Sequence, residues 1–153
     1  MNTNISYAKT IDYNVYNKNT FKSFEDADCI TDRTSPAYKF KKYYKISKYG
    51  IWKAKGRYCI AIGTGYTQKI GTKVDVYLSY KGKVHILKCI LADQKAISDT
   101  HSNYTLDNNN RTIEFVVNTS SLPYKVSHVY GDISYCSKGS KFKGKIIKLR
   151  IDK

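Results

Sequence analysis

Between Val84 and Ala92 the chain runs through VHILKCILA, an apolar stretch broken only by His85 and Lys88, and then stops at Asp93. A run this short and this rich in branched side chains reads as a strand, and its near-continuity predicts burial on much of both faces. Such a strand needs neighbours on either side, so the chain is expected to be mainly β with this segment at its centre. Asp93 then stands as a carboxylate at the strand's exit, with Gln94 and Lys95 behind it.

The flanking segments supply the neighbours. Upstream, IGTKVDVYLSYKG alternates with period two, and Tyr80 to Gly82 predicts a hairpin turn into the central strand. Downstream, RTIEFVV carries Glu114, one of only two glutamates in the chain. Alternation sets Ile113, Phe115 and Val117 on one face and Glu114 with Val116 on the other. Further strands are expected in YKFKKYYKIS, in IWKAKGRYCIAIG around the lone Trp52, and in the closing KIIKLRI. Leu122, Val126 and Val129 lie at helical spacing between the capping residues Thr119 to Ser121 and Gly131, which predicts a short helix. Residues 1–34 are polar and aperiodic and read as an N-terminal arm or extension, and residues 35–153 as the domain.

A chain of 153 residues fits one domain with a real core. Its 27 Lys and Arg against 12 Asp and Glu, a formal charge of +15, favour anionic partners. Nucleic acid ranks last among them, because the lysines are scattered outside KFKKYYK and no base-reading motif is present; a Lys- and Asn-rich composition also follows from an AT-rich genome. Cys29, Cys59, Cys89 and Cys136 form no C-x-x-C, so zinc is not expected and buried thiols are. FEDAD, with Asp32 beyond it, reads as a solvated acidic turn rather than a metal site. GTGYTQKIGT lacks the phosphate-loop pattern, so no nucleotide or other cofactor is expected. No run reaches the ~20 apolar residues of a membrane span. MNTNISYAKTID does not resemble a signal peptide, which implies cytoplasmic synthesis.

The motifs KIGTKVDV, CILADQK and RTIEFVV, in that order, resemble the six-stranded double-psi β-barrel of rare lipoprotein A and of the three-aspartate domain of membrane-bound lytic transglycosylase A. The resemblance covers about Tyr38 to Ile151 and is strongest in clostridial and phage-encoded versions. Where the family has a glycine after its first aspartate this chain has Gln94 and Lys95, and Glu114 matches the next aspartate. Asp99 and Asp107 compete for the third. The resemblance implies a barrel with one or two short helices that cleaves peptidoglycan glycan strands. With no signal peptide, its place is a virion or the cell wall after release, alongside other virion or assembly proteins. A non-catalytic glycan-binding or structural barrel is the alternative.

Lytic cleavage needs a carboxyl that protonates the glycosidic oxygen and then accepts the proton of the sugar 6-hydroxyl. Burial and a second carboxylate raise its pKa towards neutrality. Asp93 is the expected acid, Glu114 its like-charged neighbour, and Asp99 a third catalytic candidate; Lys95, Tyr66, His101 and Tyr104 are candidates for holding the sugar. Asp93 reads equally as a turn-former bonding its own backbone.

Overall fold

The computed structural model describes residues 9–15, 20–95, 100–101, 104–106 and 111–153. Their strands are β1 (Thr10–Asn14), β2 (Ser23–Asp26), β3 (Tyr44–Ile46), β4 (Trp52–Ala54), β5 (Arg57–Ile62), β6 (Lys73–Tyr80), β7 (Lys83–Gln94), β8 (Thr100–His101), β9 (Thr105–Leu106), β10 (Ile113–Val117) and β11 (Lys145–Asp152). The fold is mainly β, with few and short helices. One mixed sheet follows the order β1-β11-β6-β7-β5-β10-β2, with β4 and then β3 added beside β5. The sheet is mixed and not closed between β1 and β2, so the mainly β class is shown and the six-stranded barrel is not. The stretch read as an arm contributes both edge strands, β1 against β11 and β2 parallel to β10.

The central strand is the longest, and it divides in two. Cys89 to Ala92 are fully buried, but Val84 and Ile86 are exposed, so only the second half is covered on both faces. Lys81 and Gly82 both have positive φ, as do Lys55 and Gly56 between β4 and β5. Two successive positive-φ residues are the turn geometry that matches hairpin twist.

One face of the sheet carries the larger core, in which Cys89 and Leu91 of β7, Ile60 and Ile62 of β5, and Ile113, Phe115 and Val117 of β10 pack around Phe142, Val126 and Ile133. The other face carries a smaller core of Cys59, Ile90, Ala92 and Val116. It is roofed by Ala27, Ile30 and the helix α1 (Pro36–Phe40). A strand is expected over Tyr38 and Phe40; instead Ser35 Oγ accepts the Tyr38 N–H and Pro36 takes the first helical position, so α1 forms first and β3 follows. A wide helical turn, Lys125–Tyr130, ends at Gly131 in the left-handed conformation, as the stop signal predicts. All four cysteines are free; Cys59, Cys89 and Cys136 are buried, whereas Cys29 is exposed.

Lys22 fastens the sheet's two ends. It is wholly buried, its Nζ donates to Thr20 O, Ser134 Oγ and Gly144 O, and its backbone N–H donates to Asp132 Oδ1. Burial lowers its pKa to about 8, partly offset by Asp132. Gly144, at the start of β11, has φ +112°, and a Cβ there would lie 2.6 Å from Ser79 O. Gly144→Ala must therefore strain its own backbone and part it from β6; a loss of about 3 kcal/mol is expected in urea unfolding.

Candidate functional site

The site lies on the sheet's smaller-core face, and a β-bulge puts Asp93 there. Along β7, Cys89 and Leu91 face the large core, so strict alternation would send Asp93 the same way. The register against β5 slips at Ala92: Ile60 pairs with Leu91, but Ala61 pairs with Asp93. The extra residue turns Asp93 to the opposite face. Ala61 also pairs with Glu114 on its other side, and Glu114 pairs with Ser23. Asp93, Ala61, Glu114 and Ser23 thus form a row across four strands.

Two further residues complete the cluster. Glu25, on β2, is paired with Val116 and therefore lies on the same face. Lys95, two residues past Asp93, reaches back with Nζ 2.9 Å from Glu25 Oε2 and 2.5 Å from Glu114 Oε1. Ser23 Oγ donates to Glu114 Oε2 at 3.4 Å. The chain's only two glutamates, 89 residues apart by number, thus share one ammonium. The side chains of Glu25, Glu114 and Lys95 are 11%, 16% and 18% exposed.

Burial, and after it the neighbouring Asp93, push the Glu25 carboxyl up to about 7 against the pull of Lys95. Burial likewise raises Glu114, against the pull of Lys95. The hydrogen bonds to both glutamates and their charges hold Lys95 firmly protonated against its burial. Oε1 of Glu25 is buried and meets no hydrogen-bond partner among the described residues. A buried carboxylate oxygen left without a donor favours the protonated form of Glu25, in the same direction as its burial. Tyr44 lies within the fields of Asp93 and Glu25, and burial keeps its phenol neutral.

Asp93 is the cluster's outward member. It lines a cavity of about 280 Å³ with Ile30, Pro36 and Gln94, and its Oδ1 accepts the Gln94 N–H at 2.9 Å. That bond is the turn-forming contact, made in addition to the one with Glu25. Gln94 Nε2 donates to Gln68 O, which ties the strand exit to the preceding loop.

The structure joins Asp93, Glu114 and Lys95, but it gives Lys95 to the two glutamates. Tyr66 is buried in the large core, edge-on to Tyr13 and Tyr104 at 5.2 and 5.1 Å, and Tyr104 is exposed beside it. Neither ring joins the carboxylate cluster through these contacts. His101 lies on β8, opposite Thr105. Its side chain, Asp99 and Asp107 lie outside the described residues. Glu25 is the residue that sequence reasoning misses: FEDAD looks solvated, and its pairing with β10 has no local signature. The scarcity of glutamate is the one usable hint.

Among the described residues no group of three His, Cys, Asp or Glu side chains is arranged to hold a metal ion, and no described helix is long and apolar enough to cross a membrane. No protein-family model and no curated protein matches the chain.

Proposed function

We propose that this protein cleaves bacterial cell-wall glycan in the manner of a lytic transglycosylase, as a barrel related to the double-psi type and carried by a phage tail or released at lysis. The observation that carries the reading is the placing of Asp93 at a cavity beside the largely buried carboxyl of Glu25, which burial holds near neutrality. A carboxyl held near neutrality can both give and take a proton. The mixed sheet, with parallel pairs β5–β7 and β2–β10 around one large core, supports the barrel kinship.

In this mechanism Asp93, at the cavity, delivers the pair's proton to the glycosidic oxygen as the bond from that oxygen to the anomeric carbon breaks. The sugar's 6-oxygen then bonds to the anomeric carbon, and its proton returns to the carboxylate pair. Water is not consumed, and the product is a 1,6-anhydro sugar. Glu25 is a positioning residue that keeps the proton available, and Lys95 limits how far the cluster's negative charge raises its pKa.

Purified sacculi incubated with the protein should release anhydro-muropeptides, and Asp93→Asn should lose that release while retaining its fold. Release unchanged by Asp93→Asn sinks the assignment, and reducing-end products in place of anhydro sugars replace it with hydrolysis. A second reading, a non-catalytic glycan-binding or structural tail subunit, is favoured by the low exposure of Glu25 and Glu114 and their direct pairing with Lys95. It predicts retention on sacculi, or stoichiometric assembly, with no muropeptide released by the unmodified protein.

A further inference from the structure

A second groove, of about 750 Å³, lies beside the carboxylate cavity and shares Ile70 with it as a common wall. Its lining includes Lys55, Lys69, Lys73 and Lys153 against a single carboxylate, Asp152. All four lysines are exposed, and among the described residues none of them makes an ion pair with a carboxylate. Cations gathered in a concave surface focus their field and raise the local concentration of anions.

The backbone beneath these lysines is fixed. Gly71 N–H donates to Leu91 O and Leu91 N–H to Thr72 O, both at 2.8 Å, which staples the loop to the buried half of β7. Thr72 Oγ1 closes the turn onto Lys69 O at 2.6 Å. Lys69 and Lys73 flank that turn, and Lys55 occupies the tip of the β4–β5 hairpin. A ligand would thus meet lysines rooted on a fixed backbone, so that binding need order only their side chains.

The lining also limits what the ligand can be. Stacking of nucleic-acid bases needs a free aromatic face. Phe40 is buried, and the Tyr43 ring already carries the ammonium groups of Lys55 and Lys42 at 4.7 and 5.1 Å. The groove has no arginine to fork onto paired oxygens; lysine binds phosphate as a point charge, without demanding one geometry. We propose that this groove binds the phosphodiester backbone of a base-free linear polyanion, a polymer of polyol phosphates. This inference is independent of glycan cleavage, since it uses neither Asp93 nor the glutamates.

The probe is a defined glycerol-phosphate oligomer, titrated against the full chain at several salt concentrations, with oligothymidylate and polyglutamate of matched charge beside it. Lys55→Gln/Lys69→Gln/Lys73→Gln should weaken binding at least tenfold and flatten the log-affinity against log-salt slope by about 2, at ~0.7 for each phosphate that is no longer neutralised. Lys83→Gln/Lys125→Gln/Lys138→Gln removes the same charge from exposed positions outside the groove and should change affinity less than twofold. Lys73→Gln alone should give an intermediate loss, which guards against a triple variant that misfolds. Equal losses in the two triples, or no binding by the unmodified protein, overturn the groove. Oligothymidylate binding as tightly overturns the base-free assignment in favour of nucleic acid, and equal binding of polyglutamate overturns the phosphodiester.

Discussion

Glu25→Gln is expected to make the protein more stable at pH 8 and, on the proposed function, to remove the release of anhydro-muropeptides. Unfolded, Glu25 ionises at its ordinary value of 4.5; folded, burial and Asp93 hold it to about 7. Between those values the native chain keeps a proton that the unfolded chain has lost, so stability falls as pH rises through that window. The full cost is reached above pH 7 and amounts to about 3 kcal/mol. Glutamine occupies the same space, can donate its amide to Asp93 and does not titrate. The pull of Lys95 is already contained in that value, so the variant should exceed the wild type by about 3 kcal/mol at pH 8. The gap should close as pH falls towards 4.5. Urea midpoints across this range read the difference directly, and a variant less stable at pH 8 means that Lys95 keeps Glu25 ionised throughout. On sacculi the same variant should retain binding and lose release by about a hundredfold or more, the usual scale of general acid–base assistance.

A buried carboxyl that destabilises its own fold near neutral pH marks the cluster out from an ordinary surface ion pair, and the sequence disclosed only part of it. Asp93 was visible because an apolar strand ended on it, and Glu114 because alternation opposed it to Ile113 and Phe115. Neither pattern could show the bulge at Ala92, which decides the face that Asp93 occupies. Without that slip Asp93 would point into the large core, and the two carboxylates would lie on opposite sides of the sheet. Glu25 was hidden for a different reason. Its burial comes from β2 adding in parallel to β10, a contact between segments about ninety residues apart, and the local sequence SFED holds only enough alternation for a short strand.

The fold was legible to a similar depth. Strong local signals survived: the hairpin at Lys81 and Gly82, the alternating β6, the stop at Gly131 and the closing strand β11. Local signals failed where capping chemistry outweighed strand propensity, as at Ser35 and Pro36. The open path of the sheet, with Lys22 fastening its ends through Gly144 and Asp132, depends on the burial of one lysine, which composition in a lysine-rich chain cannot single out.

Lys95→Met tests whether the cluster is one electrostatic unit. Methionine fills the space of the lysine stem, but it leaves Glu25 and Glu114 facing each other and Asp93 without a cation in a largely buried place. Removing one partner from such a group costs about 3–5 kcal/mol at pH 8. The loss should shrink to about 1 kcal/mol at pH 5, because the glutamates can then take up protons and shed the charge that opposes them. Lys95→Met/Glu114→Gln should recover about half of the loss at pH 8, since one of the two stranded carboxylates is gone; additive effects of the two substitutions would show that the residues are not coupled. The proposed cleavage would supply a second readout. Losing the ammonium moves the pair's pKa upward, so the alkaline limb of the pH–rate profile should shift to higher pH in Lys95→Met. A merely structural lysine would lower the rate at every pH and leave that limb where it was.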